Sequence, residues 1–282
     1  MKNVFGPALE AIGNSGLYGP TSFQGYAKQH GYNVSRKTCE LISKDAIESL
    51  PIELRESQSM VLRLGSAADG RGTAFAIVKV PDLRDFFLMH ETVFSNEPEA
   101  FVPTGSETNL MAFRFLPKLT ETSLVNLALA SGVLGSALQI DDTSQVLVPA
   151  TGQSIYSFSF QPHQSVQASL THNRGQVEID ALFFSKRNGT ECLFLVEAKT
   201  GGGRWSLAKH KLVYPLLALR GEIPRTIPIV PVYMHVERTH SEYRFHVAEC
   251  ELEVPAETLP VLCDLRAVSN RTLVLPSFSE CN

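Results

Sequence analysis

Two apolar, strand-like runs, VEIDALFF over Val177 to Phe184 and LFLVEAKT over Leu193 to Thr200, are separated by Lys186-Arg187-Asn188-Gly189. Asn-Gly suits the left-handed backbone of a tight turn, so this spacing predicts a β-hairpin of Gln176 to Ser185 and Cys192 to Ala198. Side chains alternate along a strand, which puts Val177, Ile179, Ala181 and Phe183 on one face and Glu178 with Asp180 on the other. In the partner strand, Cys192, Phe194, Val196 and Ala198 share one face and Glu197 with Lys199 the opposite one. The hairpin therefore makes Asp180, Glu197 and Lys199 neighbours. The rest of the chain must fold to cover it.

Helices are expected over Thr21 to His30 and Ser35 to Leu50, followed by strands Met60 to Leu64 and Thr73 to Val80 joined by the Gly65 to Gly70 turn. Helix, helix, hairpin is a winged-helix-like order. It suggests an α+β region over 1–115 able to serve as a DNA-recognition module, with a second domain over 116–282. Glu121 to Ile140 carries Leu124, Leu127, Val133, Leu134 and Leu138 and predicts a buried helix. From Thr143 to Asn173 there is no Asp, Glu, Lys or Arg. Strand-like pieces at Ile155 to Phe160 and Val166 to Leu170 make this interval a solvated hairpin, or else an uncharged surface able to hydrogen-bond base edges. A helix is expected over Ser206 to Leu219, kinked or ended in its first half by Pro215. Strands follow at Ile227 to Val236, Tyr243 to Cys250 and Arg271 to Leu275.

With 25 basic against 29 acidic side chains in 282 residues, the formal charge of −4 excludes a strongly basic, histone-like protein. The placement of charge matters more than its sum. Between Lys199 and Arg225, six basic residues (Lys199, Arg204, Lys209, Lys211, Arg220, Arg225) face one acid, Glu222. Arg204, Lys209 and Lys211 are the candidates for DNA phosphate contacts. Five scattered cysteines without a C-x-x-C pair argue against a disulfide framework or zinc ribbon and fit a reducing cytoplasm. No apolar signal segment or membrane span is expected; Ser123 to Ile140, the longest uncharged apolar stretch, contains Asn126 and Gln139. G-x-S-x-G, H-E-x-x-H and Walker A patterns are absent from the sequence.

Clustered carboxylates repel one another unless a cation sits between them. Oxygen donors without His or Cys suit Mg²⁺, with Mn²⁺ able to substitute. A carboxylate-held Mg²⁺ polarises a phosphoryl oxygen and acidifies a bound water, and an adjacent ammonium stabilises the developing charge. The parts point to phosphodiester hydrolysis.

Asp180 followed by Glu197-Ala198-Lys199 resembles the motif of the PD-(D/E)xK nuclease superfamily. The resemblance covers about Glu121 to Val236 and implies an α/β (α+β) fold with a restriction-endonuclease-like core, a mixed central sheet flanked by helices in the order αβββαβ. It implies Asp180, Glu197 and Lys199 as catalytic residues and Asp180, Glu197 and Ala198 as metal-holding positions. The residue before Asp180 is Ile179, where the family's nominal motif has Pro. The acid often supplied by the preceding helix is left unassigned between Glu121 and Glu107, with Glu178 as a substitute on the strand itself. His210 and Tyr214, four residues apart on a helix, are similar to a Gln-x-x-x-Tyr-like element of some members. The implied function is a Mg²⁺-dependent endonuclease of the type II restriction kind, acting on double-stranded DNA as a homodimer. A repair or recombination nuclease and a catalytically silent DNA-binding or interaction module are the alternatives.

Overall fold

The computed structural model describes residues 3–34, 38–105, 107–116, 118–142, 147–202, 205–254 and 257–276. A large mixed sheet organises it. The first strands of the chain are β1 (Leu17–Ser22), β2 (Ser59–Ser66), β3 (Thr73–Lys79), β4 (Phe87–Met89), β5 (Glu99–Ala100) and β6 (Ala150–Phe160). The remainder are β7 (Leu170–Arg187), β8 (Thr190–Thr200), β9 (Ser206–Ala208), β10 (Ile229–Arg238), β11 (Glu242–Glu251) and β12 (Arg266–Pro276). The order across the sheet is β1-β3-β2-β7-β8-β10-β11-β12-β5, with β6 added to β7 alone, while β4 and β9 pair separately. Pairing is antiparallel between β7 and β8 and parallel between β8 and β10.

Helices cover both faces. The first four are α1 (Gly6–Ala11), α2 (Phe23–Gln29), α3 (Thr38–Ile42) and α4 (Ile52–Glu56). They are followed by α5 (His90–Val93), α6 (Glu107–Arg114), α7 (Glu121–Ala130), α8 (Val133–Ala137) and α9 (His210–Arg220). On one side, Leu124, Val125 and Leu127 of α7 and Val133 and Leu134 of α8 pack on Phe183, Phe194, Val196 and Val232. On the other, Leu212, Val213 and Leu216 of α9 share a core with Leu195, Tyr233 and the N-terminal residues Phe5, Phe23 and Phe75. The hairpin β2–β3 is therefore not a free-standing wing. It is the extension of the main sheet, joined to β7 where Gly65 meets Asn173.

Several elements depart from the sequence reading. The Ser35 to Leu50 helix is reduced, in its described part, to α3 and a 3₁₀ turn at Ile47–Ser49. Tertiary bonds redirect this segment: the Ala208 N–H donates to Asp45 O, and the Ile47 N–H donates to Ser206 Oγ. The Glu121 to Ile140 helix breaks at Gly132, whose φ of 85° ends α7 and starts α8. Val166 to Leu170 is a turn and a loop, with β7 starting only at Leu170. Ser206 to Ala208 is a strand, and α9 runs on through Pro215 to Arg220. The Asn188-Gly189 turn has the expected left-handed backbone, φ 52° and 75°. Its two N–H groups donate to the carboxylate of Asp141. Cys39, Cys192, Cys250 and Cys263 are free thiols, and among the described residues no helix is long and apolar enough to cross a membrane.

Candidate active site

The strand carrying Asp180 is irregular at that residue. Along the β6–β7 ladder, Gly152 pairs with Ile179 but Ala150 with Leu182, so β7 holds one extra residue in this interval. Such a bulge twists a strand and re-aims its side chains. Ile179 and Leu182 accordingly pack toward the α9 side, whereas Ala181 and Phe183 face α7 and α8. The expected common face of Ile179 and Ala181 is thus split by the bulge. Pairing between β7 and β8 runs from Arg187↔Thr190 to Ala181↔Val196 and stops there. One residue on, Asp180 Oδ2 accepts the backbone N–H of Ala198 at 2.9 Å. A side-chain oxygen here takes the place of a ladder carbonyl.

Glu197 follows Leu195 onto the α9 side, where its carboxyl is only 4% exposed. Its Oε1 lies 2.8 Å from Lys199 Nζ and 3.3 Å from Lys211 Nζ. Neither ammonium is aligned to give that oxygen a hydrogen bond. Lys199 Nζ is also 3.8 Å from Glu121 Oε2 at the start of α7. Burial pushes the Glu197 carboxyl above its ordinary range, against the pull of Lys211 and Lys199 and with the help of the Asp180 charge. Burial also disfavours the Lys199 ammonium, but Glu197, Glu121 and Asp180 together hold its pKa above the usual lysine value. The two ammonium groups facing Glu197 favour its ionised form against that burial.

The hairpin thus brings Asp180, Glu197 and Lys199 into one electrostatic cluster, and α7 adds Glu121. Glu121, one of the two helix acids left open in the sequence, reaches the cluster because α7 starts beside the end of β8. Lys211, expected as a phosphate contact, pairs with Glu197. Lys209, expected in the same role, is half-buried, and its Nζ donates to Cys263 O at 2.6 Å. Arg204 lies outside the described residues. Glu178 is exposed and accepts from Gln176 Nε2 at 3.1 Å. The Tyr214 hydroxyl donates to Arg63 O, and its ring packs on His172, Phe158 and Phe160. His210 sits beside it, rings 5.3 Å apart, and burial lowers its pKa to about 3. Both residues belong to packing beside the cluster.

Sequence reading missed a histidine row next to the cluster. Tyr233 is the β10 partner of Glu197, and His235 is the partner of Lys199. His235 pairs in turn with His246, and His246 with Thr272. His90 Nε2 shares a 2.6 Å hydrogen bond with the Tyr233 hydroxyl, and its ring lies 4.5 Å from that of His235. His235 is 1% exposed, and neither ring nitrogen has a hydrogen-bond partner among the described residues. The period-two spacing of Tyr233 and His235 was the available signal.

Among the described residues no three His, Cys, Asp or Glu side chains are grouped to hold a metal ion. The hard-oxygen donors at the end of β8 are the carboxylates of Asp180 and Glu197 and the backbone carbonyl of Ala198, and among the described residues Glu197 Oε1 is a buried oxygen lacking a hydrogen bond. That set fits a hard divalent cation completed by water, not a closed all-protein cage.

No curated protein and no solved structure matches the chain. The family model described as Domain of unknown function (DUF6997) matches residues 89–258, more than half of the chain and all of the cluster just described, and the chain belongs to that family.

Proposed function

We propose that this protein is a Mg²⁺-dependent endonuclease that hydrolyses phosphodiester bonds in duplex DNA, of the type II restriction kind. One observation carries the reading: Asp180, Glu197 and Lys199 meet at the divergent end of β7 and β8, held there by the Asp180–Ala198 hydrogen bond. The succession α7, α8, β6, β7, β8, β9, α9, β10 is compatible with the αβββαβ core implied by the motif, with α8 and the short strand β9 as additions.

Asp180, Glu197 and the carbonyl of Ala198 would hold the ion. When bound, Mg²⁺ supplies Lewis acidity at the phosphoryl oxygen and acidifies a coordinated water. The chain's own residues supply the remainder. Lys199 is fixed as an ammonium and kept 14% exposed, placed to orient the attacking water or to counter charge at phosphorus. Glu121, 3.8 Å from Lys199 Nζ, holds that ammonium toward the α7 side. Lys211 balances Glu197 and lines, with Arg63 and Gln176, the adjacent cleft of about 320 Å³.

Incubation of the protein with plasmid DNA, with and without Mg²⁺, tests the reading. Discrete fragments support a restriction enzyme. A smear or junction-specific cuts would move the assignment to a repair or recombination nuclease. DNA binding without cutting in Mg²⁺ or Mn²⁺ would leave only a silent module, with the lysine pairs on Glu197 as permanent structure.

A further inference from the structure

Immediately before Asp180, strands β6 and β7 form a two-stranded ribbon that, among the described residues, pairs with no third strand. Gly152 to Tyr156 pair with Gly175 to Ile179. β2 forms a ladder pair with β7 only at Asn173, with Gly65 and Ser66 also lying against Gly175 and Arg174, and pairing with β8 begins only at Ala181. The free edge of β6 is long, and Ala150–Phe160 carries no charged residue and no proline. Sheet edges are ordinarily guarded by such residues.

The ribbon has two unlike faces. Ser154 pairs with Val177, and Val177 is buried. The opposite face presents Gln153 beside Glu178 and Ile155 beside Gln176, all four exposed, with Ile155 66% exposed. Gln176 Nε2 donates to Gln153 Oε1 and to Glu178 Oε1, which aligns these polar ends in one row. Gln176 and Glu178 also line the cleft that holds Lys211, so the row is continuous with the candidate active site.

Resting on the nuclease reading, we propose that this ribbon enters the major groove of duplex DNA and that Gln153, Ile155, Gln176 and Glu178 contact base edges beside the scissile phosphate. The major groove admits a two-stranded ribbon, a glutamine amide matches adenine, a glutamate accepts from the cytosine amino group, and an apolar side chain meets the thymine methyl. An uncharged edge strand approaches DNA without repelling phosphates. The aligned amides need little reordering on binding.

The test selects bound duplexes from a randomised DNA pool, using wild type and the variants Gln153→Ala, Ile155→Ser and Gln176→Ala, and separately scores plasmid cutting in Mg²⁺. The expected result is a base preference that each variant relaxes by about 10-fold or more at one or two positions, while plasmid cutting continues. Unchanged preference in all three variants, with cutting intact, overturns the ribbon assignment and leaves the nuclease standing. Selection of preferred sequences without any cutting overturns the nuclease and leaves the ribbon standing. Self-association of the wild type in sedimentation that Ile155→Pro abolishes would show a second copy on the β6 edge and overturn the proposal.

Discussion

The carboxylate of Asp180 accepts the backbone N–H of Ala198 at 2.9 Å, at the point where β7 and β8 cease to pair. Ala198 is 1% exposed, so this N–H has no recourse to water. One side chain therefore finishes the ladder and brings its charge beside Glu197 and Lys199. The two duties can be separated by substitution.

Asp180→Ala should destabilise the protein by about 1–3 kcal/mol, because it strands a buried donor. Asp180→Asn keeps an acceptor oxygen and should lose less than half of that. Cutting should fall at least about 100-fold in both. Urea midpoints and cleavage rates check this; equal stability losses in the two variants would contradict the hydrogen-bond account.

Glu197 gives a pH-dependent signature when its partners are removed. In the double variant Lys199→Met, Lys211→Met, an unpaired buried carboxylate should cost about 3–5 kcal/mol at pH 8. Burial holds the folded-state pKa of Glu197 above the ordinary glutamate value of 4.5, and it rises further without the lysines. The folded state then binds the proton more tightly than the unfolded state. The stability is fully present below about pH 4.5 and is lost as pH rises through the folded value. Denaturation at pH 4.5 and pH 8 should show the variant closest to wild type at the lower pH.

The histidine row has the opposite sign. Burial lowers His90 to about 4 and His235 to about 3, from an ordinary 6.5. Between those values the unfolded chain binds more protons, so stability present above pH 6.5 falls as pH drops toward 4. His235→Leu should flatten part of that slope in urea titrations at pH 7.5, 5.5 and 4.5. An unchanged slope would remove His235 from the acid response.

Gly65 joins the N-terminal hairpin to β7. At φ +76° its added Cβ would stand 2.3 Å from Asn173 O and 2.8 Å from the Gly175 backbone. Gly65→Ala combines a strained backbone with a backbone clash and should cost at least about 1–3 kcal/mol. Thermal or urea unfolding measures it; a neutral result would mean that this junction yields easily.

What could be read in the sequence was local. The Asn188-Gly189 turn fixes the register of β7 and β8 and so places Glu197 and Lys199. The bulge at Asp180 was not legible, because it depends on β6 pairing with β7 over a long antiparallel stretch. Glu121 was visible as a helix start without a destination. Lys209 and Lys211 looked like free cations until the fold supplied Cys263 O and Glu197 as their partners. His210 and Tyr214 share the helical face that their spacing implies, yet that face is turned to Phe158, Phe160 and His172. The histidine row is spread over α5, β10 and β11, and only the sheet register assembles it.

The central claim is that Asp180, Glu197 and Lys199 act together on a phosphodiester bond. Rates of supercoiled plasmid cleavage in Mg²⁺, for wild type and for folded Asp180→Asn, Glu197→Gln and Lys199→Met proteins, test it most directly. The account expects metal-dependent cutting by the wild type and a loss of at least about 100-fold in each variant. Cutting at wild-type rate by all three variants, or none by the wild type in either Mg²⁺ or Mn²⁺, would contradict it.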